Sequence, residues 1–308
     1  MLILLLLPAA LPADAQTELV IAYLDVGQGD STIIKMPNGK TLLIDGGERV
    51  ETQTILDMAD SLSIERFDVV VATHPHADHI GGLVDLFYEF PVGRVLDSGQ
   101  QHTTKTFEDY LTAIEENKIP YTMVRDGDDI DLDPTVDIQV LNPVKNLPFA
   151  MHDPDNFNNN SVVVMLKYGE FSAIFPGDIE AATEGLLSNR DIDVDLLLAS
   201  HHGSNTSNTP TYLNAASPEV VIIYAGQDNI YGFPHGEVLQ RIDALGPLLF
   251  RTDVDGHILL YANQTHYEIE TLGTNKSVVI PEFPNLLVVS ALPIAAVIIL
   301  WRYGKWKL

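Results

Sequence analysis

The chemistry of this 308-residue chain is concentrated in six consecutive residues, His74-Pro75-His76-Ala77-Asp78-His79, which place three imidazoles and a carboxylate in one short stretch. Pro75 disfavours the helical region for His74, so the segment stays extended there. In an extended chain residues two apart project to the same side, and His74 and His76 can therefore meet one metal ion. Asp78 and His79 follow as the chain turns toward a helix expected to begin near Gly81, which directs them at a second position. Gly81-Gly82 lets that turn pack closely. A single histidine is more often structural than a ligand, but desolvating this whole cluster makes little sense in a plain core. The sequence contains no cysteine, which excludes disulfides, thiolate metal sites and Cys nucleophiles. Any metal is held by His and carboxylate. Imidazole suits zinc, while carboxylate and water suit manganese as well.

Such a cluster needs a rigid frame, and the apolar patterning describes one. Strands are expected over 19–26, 31–36 and 41–45, where β-branched and apolar residues lie between turn signals, with Pro37-Asn38-Gly39 turning the hairpin between the last two. Short, nearly continuous apolar runs at 67–72, 161–166, 172–175, 194–199 and 220–224 read as strands buried on both faces. Apolar residues recurring at three- and four-residue spacing predict helices over 52–62, 104–117, 179–187 and 237–245. The result is a layered α/β domain with sheets inside and helices outside. Four polar loops follow apolar strands directly: Asp45-Gly46-Gly47, the histidine segment, Gly177-Asp178 and His201-His202-Gly203. Sites are assembled from loops at one strand edge, so these four are expected to converge.

With 46% hydrophobic and 19% charged residues, the chain can bury a large core and is too apolar to be disordered. A net charge of −26 excludes a protein that grips nucleic acid mainly through a basic surface. Both ends read as targeting segments. Residues 1–15 join an apolar run to the small-x-small pattern Ala13-Asp14-Ala15 and resemble a secretory signal peptide. The folded domain is then expected over 16–272, followed by a linker over 273–285 that carries Pro281-Glu282-Phe283-Pro284. Residues 286–308 form an apolar run, slightly short of the usual span of about 20 residues, with Arg302, Lys305 and Lys307 beyond it. Those basic residues would stay cytoplasmic and leave the domain at the extracellular face of the membrane. This three-part ending resembles the PEF-type C-terminal sorting signals of archaeal surface proteins. That resemblance implies either a transmembrane anchor or a tail processed by a sorting protease.

The pattern His-x-His-x-Asp-His resembles that of the metallo-β-lactamase superfamily, which implies a four-layer αββα sandwich with one or two metals at the sheet edge. Further segments are similar to the C-terminal hydrolase domain of ComEC competence proteins. They are Leu24-Asp25-Val26-Gly27-Gln28-Gly29-Asp30-Ser31, Leu43-Ile44-Asp45-Gly46-Gly47, Asn159-Asn160-Ser161-Val162-Val163, Phe175-Pro176-Gly177-Asp178, Ser200-His201-His202-Gly203-Ser204 and Tyr231-Gly232-Phe233-Pro234-His235. The resemblance implies that His74 and His76 hold a first metal, Asp78 and His79 a second, and Asp178 bridges both. Taken alone, Asp178 would rather be read as the cap of the helix that follows it. His202 is the expected further ligand of the second metal, with His201 facing substrate; His235 is the alternative ligand or a proton donor to the leaving group. Two departures stand out. Gly232-Phe233-Pro234 lacks the histidine of the family's Gly-His-Pro. Asn158-Asn159-Asn160-Ser161 replaces the Gly-His-x-x-Gly loop that completes the first site in many superfamily hydrolases, which implies a more open first position, compensated by His152 only if its loop folds back.

Two divalent ions, zinc or manganese, would generate a bridging hydroxide at neutral pH and clamp an in-line displacement, chemistry that an anionic phosphoester needs most. Asp78 would orient the hydroxide, and His201 or His235 would protonate the leaving oxygen. Ser204 and the Asn160-Ser161 turn are expected either to contact phosphate or to shape turns. The expected function is an extracellular phosphodiesterase or nuclease of ComEC type acting on DNA or a surface polymer. The alternatives are a lactonase or β-lactamase-type carboxyl hydrolase, and a surface-displayed binding protein with a vestigial site. Sequons at Asn159, Asn205, Asn263 and Asn275 permit glycosylation, but the first two fall in expected site loops and are expected to be unmodified.

Overall fold

The computed structural model describes residues 18–145, 157–274 and 277–281. The chain enters as strand β1 (Leu19–Tyr23), followed by β2 (Thr32–Lys35) and β3 (Thr41–Ile44). These three pair antiparallel in that order, and the β2–β3 turn closes through Gly39 N–H to Met36 O at 2.8 Å. Helix α1 (Thr52–Ser61) leads to β4 (Val69–Ala72), α2 (Ala77–Glu89) to β5 (Val95–Asp97), and α3 (Lys105–Glu116) to β6 (Tyr121–Met123). Each of these strands runs parallel to its predecessor. A second sheet begins with β7 (Val136–Asn142), β8 (Val163–Tyr168) and β9 (Phe171–Phe175), paired antiparallel. It continues in parallel with β10 (Leu196–Leu198), β11 (Val220–Ile223) and β12 (Leu248–Arg251), with α4 (Ala181–Leu187), α5 (Pro210–Ala216) and α6 (Gly236–Leu245) between them. After the short α7 (Thr252–Asp255), β13 (Ile258–Ala262), β14 (His266–Thr271) and β15 (Ser277–Pro281) return to the first sheet, where β13 pairs with β1.

Alternation along each strand divides the core into three. From the first sheet, Ile21, Tyr23, Val69 and Val71 face Val164, Phe175, Leu196 and Leu198 of the second. Their neighbours Ala22, Leu24, Val70 and Ala72 pack under Ile55, Leu83, Phe107 and Tyr110 of the first three helices. On the far side Val163, Ile174, Leu197 and Val221 pack under Leu187, Leu213, Val238 and Ile242 of α4, α5 and α6. Side chains on both faces of both sheets are thus covered, which is why the strands read as unbroken apolar runs. The architecture is the expected four-layer αββα sandwich.

Several elements depart from the sequence reading. The helix expected near Gly81 starts at Ala77: His76 is extended at its cap, and its carbonyl accepts from His79 N–H at 3.1 Å and Ile80 N–H at 3.0 Å. Asp78 and His79 therefore lie in the first helical turn rather than before it. Strands β5, β6, β7 and β12 to β14, and helix α5, were not anticipated. β6 is three exposed residues, too short and too wet for pattern reading, whereas Thr209, whose side chain caps α5 ahead of Pro210, was a readable start signal. β15 occupies the stretch read as a linker and adds a strand to the first sheet. The N-terminal segment 1–15, the tail 286–308 and His152 lie outside the described residues. Among the described residues no helix is long and apolar enough to cross a membrane.

Gly81 and Gly82 are the close-packing positions they were expected to be. A Cβ on Gly82 would stand 2.1 Å from Gly46 O, a backbone atom that cannot swing away. Gly82→Ala is expected to cost about 3 kcal/mol or more, at the upper end of overpacking penalties. Denaturant unfolding measures this directly, and a change below about 1 kcal/mol would contradict the packing described.

Candidate metal centre

The four polar loops do converge at one edge of the two sheets. Asp45, directly after β3 and itself left-handed at φ 58°, is 1% exposed. Its carboxylate accepts from Thr73 N–H at 2.8 Å, Thr73 Oγ1–H at 2.7 Å and His79 Nδ1–H at 2.8 Å. The Gly46 N–H donates to His79 O at 2.7 Å, and Asp30 N–H donates to Asp78 O at 3.2 Å, so the first turn of α2 is stitched to two neighbouring loops. Thr73 O in turn accepts from Val162 N–H at 2.8 Å, joining the first sheet's edge to the second.

These bonds fix the imidazole tautomers. The single Thr73 hydroxyl proton goes to Asp45, an acceptor, so Thr73 Oγ1 accepts from His74 Nδ1–H at 3.1 Å. His74 Nε2 is left as a lone pair, 2.9 Å from His76 Nδ1 and 3.7 Å from Asp178 Oδ2. With Nδ1 of His79 committed to Asp45, its Nε2 faces Asp178 Oδ1 at 3.3 Å. His202 Nε2 lies 3.2 Å from Asp78 Oδ2 and 3.7 Å from Asp178 Oδ2, while its Nδ1 faces Asp30 Oδ1 at 3.1 Å.

Asp178 stands at the centre, 2% exposed. It does not cap the helix that follows. That task falls to Asn159, whose side-chain oxygen accepts from Glu180 N–H at 3.1 Å and Thr183 N–H at 3.3 Å at the start of α4. The asparagine run in place of the expected histidine loop is therefore buried structural support, and it leaves the Asp178 carboxylate free. Gly177, at φ +57°, lets that loop approach: a Cβ there would lie 3.0 Å from Thr73 Cβ and 3.1 Å from Ser161 Cβ.

Two donor groups with ligand atoms within 4.8 Å share Asp178, one formed with His74 and His76, the other with Asp78, His79 and His202. A third, Asp30, Asp45 and His79, is the supporting layer behind them. His201 and His235 belong to neither. His201 Nε2 is 3.8 Å from Asp178 Oδ2, and its Nδ1 lies 3.5 Å from Glu180 Oε1. His235 Nδ1 accepts from Asn205 N–H at 3.0 Å, with its ring edge on Phe233. Sequence reasoning placed the Asp45 loop among the four expected to converge, but assigned no role to the side chains of Asp45, Thr73 or Asp30, although Asp30 and Asp45 stand in the quoted Gly-Gln-Gly-Asp and Ile-Asp-Gly-Gly segments. His201 and His202 have φ of 50° and 52°, a left-handed pair costly for non-glycine residues and common where a site over-determines the backbone.

The electrostatics fit a cation. Burial, reinforced by His79, pushes His74 well below the ordinary imidazole range, and His76 moves the same way for the same reasons. Burial alone would do this to His79 too, but Asp178, Asp45 and Asp78 outweigh it and hold its pKa well above the ordinary value. Asp178 and Asp30 do the same for His202. Against the upward push of burial, His79 and His202 hold Asp78 low and Asp178 well below the carboxylate range. His79 Nε2 and Asp178 Oδ1 are both buried and, although 3.3 Å apart, make no well-aligned hydrogen bond with each other or with any other group. Orphaned polar atoms of this kind need an explanation, and a metal ion supplies one.

A metal must displace the protons that His79 and His202 hold above the usual range. Metal affinity is therefore expected to keep rising with pH beyond the ordinary imidazole pKa and to fall on acidification, with protons released on binding. Chelator competition at stepped pH tests it; a plateau already at pH 6.5 would contradict it. Asp45→Asn, which removes the acceptor behind His79 and Thr73, is expected to lower metal affinity about 10- to 100-fold, measured by the same competition.

The chain is 29% identical over 258 residues to ComE operon protein 3 of Bacillus subtilis, a match covering 77% of this chain and 32% of that protein. It is also 29% identical over 255 residues to competence protein ComA of Neisseria gonorrhoeae, covering 81% of this chain and 33% of that protein. The chain thus spans about a third of the length of these curated relatives. Among solved structures it is similar to the metallo-β-lactamase fold protein YhfI of Bacillus subtilis, with a TM-score of 0.52 at 9% identity, covering 80% of this chain and 100% of that one. CmlA, a diiron β-hydroxylase from Streptomyces venezuelae, matches with a TM-score of 0.50 at 18% identity, covering 80% and 54%. At such identities the likeness speaks for the fold alone. The metallo-β-lactamase superfamily profile matches residues 24–227, a span that contains every loop of the centre up to His202, and the chain belongs to that superfamily.

Proposed function

We propose that this chain is a metal-dependent phosphodiesterase or nuclease of ComEC type, working outside the cell at the membrane surface. The observation that carries the reading is the single buried carboxylate of Asp178, within 3.3 to 3.8 Å of His74, His79, His201 and His202. A carboxylate in that position would be shared by two ions, since both donor groups include it. His74, His76 and Asp178 would hold one, and Asp78, His79, Asp178 and His202 the other, with zinc and manganese both suited to the donors. Such a pair supplies Lewis acidity toward a phosphoryl oxygen and acidifies a water.

The remaining work belongs to the protein. Asp78, held ionised by His79 and His202, orients the attacking water as a hydrogen-bond acceptor. His201 is better placed than His235 to protonate the leaving oxygen, since its Nε2 lies beside Asp178 while its Nδ1 is steadied by Glu180. His235 keeps a proton on Nε2, because Nδ1 accepts from Asn205 N–H, and serves as a donor toward substrate from the rim. The names of the competence relatives support a nucleic-acid or related phosphodiester substrate, with a surface polymer as the other partner of that chemistry. The apolar tail 286–308 supports tethering to the membrane, by an anchor or through a sorting protease.

The test is a parallel assay of the full chain, loaded with zinc or manganese, against bis(p-nitrophenyl) phosphate, single-stranded DNA, a lactone and a cephalosporin. Turnover of the phosphodiesters is expected, and turnover of the carbonyl substrates alone would sink the proposal. Asp178→Asn is expected to reduce metal content and to lower kcat by more than the about 10- to 100-fold typical of losing a ligand's supporting partner. Unchanged metal content by elemental analysis would mean the bridging role is wrong.

A further inference from the structure

An aromatic stack runs from solvent to the metal centre along the loop that joins β11 to α6. Tyr231 and Phe233 lie within 15° of parallel with ring centroids 5.6 Å apart, and Phe233 stacks on His202 at 6.0 Å and 27°. The edge of Phe233 also meets His201 at 5.6 Å. At the outer end Tyr231 is 59% exposed, and the adjacent Ile230 is 92% exposed. Such side chains cost solubility, and nothing in the core needs them.

The loop is built rather than slack. Asn229 Nδ2 donates to Phe233 O at 2.7 Å and to Gly226 O at 2.9 Å, and Asn229 Oδ1 accepts from Phe233 N–H at 3.0 Å. One side chain therefore clamps the base of the turn and holds Tyr231 at its tip. The inner end of the stack rests on a group proposed to bind metal, and the outer ring stands two centroid steps from it, 6.0 and 5.6 Å.

We infer that Tyr231 and Phe233 form a stacking platform for a nucleobase next to the scissile phosphate, which makes single-stranded nucleic acid the favoured substrate of the site. The inference rests on the phosphodiesterase reading above. Two near-parallel rings form a slab, which suits a planar partner; a rounded quaternary ammonium would need rings standing around it as walls. Stacking also needs no basic surface, so it reconciles a nucleic-acid substrate with a net charge of −26, where backbone contacts alone would be repelled. Each stacked base contributes an affinity factor of about 5 to 150 that tolerates any base sequence.

The test separates stacking from turnover. Fluorescence anisotropy on the full metal-free chain compares a labelled single-stranded hexadeoxynucleotide with a hexamer of abasic sites carrying the same phosphates. The base-containing probe is expected to bind about 5- to 150-fold more tightly, Tyr231→Ala to erase that preference, and Tyr231→Phe to keep it. In the metal-loaded chain Tyr231→Ala should raise KM for single-stranded DNA more than it lowers kcat. Equal binding of the two probes by the wild type, or a preference that survives in Tyr231→Ala, overturns the platform. So does a Tyr231-dependent preference for choline phosphodiesters over the oligonucleotide. Loss of all phosphodiester turnover in the wild type, with the base preference intact, would strike the phosphodiesterase reading and leave the platform standing.

Discussion

The Asp45 carboxylate is the interaction on which the site depends. It is a buried negative charge, and burial raises its pKa, yet three donors from the β4 loop and the first turn of α2 converge on its two oxygens. An unpaired carboxylate in that place would be untenable, so the loops are held in the one arrangement that satisfies it. The same bonds put a proton on Nδ1 of both His74 and His79, and hence leave Nε2 of each as the nitrogen that faces Asp178. Position and protonation are set by one side chain that never touches the reacting centre.

A division of labour follows between the sheets. The first sheet contributes the imidazoles of His74, His76 and His79 with their supporting carboxylates, and the second contributes Asp178, His201 and His202. Neither edge alone holds either of the two candidate donor groups that share Asp178. They are brought to register by backbone bonds across the gap, such as Val162 N–H to Thr73 O, and by the close approach at Gly177. Asn159 matters here because it caps α4 from a neighbouring loop. Had the helix been capped by its own preceding aspartate, the central carboxylate would have been consumed by the backbone.

The six-residue histidine segment, the apolar strands and the four loops were readable because each has a local signature: chemical type, period, and position after a buried run. The sandwich followed from strands apolar on both faces. Asp45 and Asp30 were less visible, since an aspartate after a strand reads as a turn residue until its partners 28 to 34 residues away are known for Asp45 and 172 for Asp30. The helix start at Ala77 was misplaced because paired glycines suggest a break, whereas here they remain inside α2 to admit the Gly46-Gly47 backbone. Strands β5 and β6 are three residues long and borrow their stability from their neighbours, so no period exists to be read. The aromatic stack was legible only as a missing histidine at Phe233.

The pairing of β1 with β13 has a consequence in the order of synthesis. Leu19 lies opposite Ala262, so β1 sits inside the nine-stranded sheet and waits for a partner made more than two hundred residues later. Until then one edge of β1 is open, the slow long-range kind of closure that leaves apolar strand exposed. The histidines and their supporting carboxylates are translated early, and Asp178 and His202 later, but the sheet that carries the first group is sealed last. The first sheet therefore closes only after every candidate ligand has been made, and until β13 arrives β1 offers neighbours an unpaired edge.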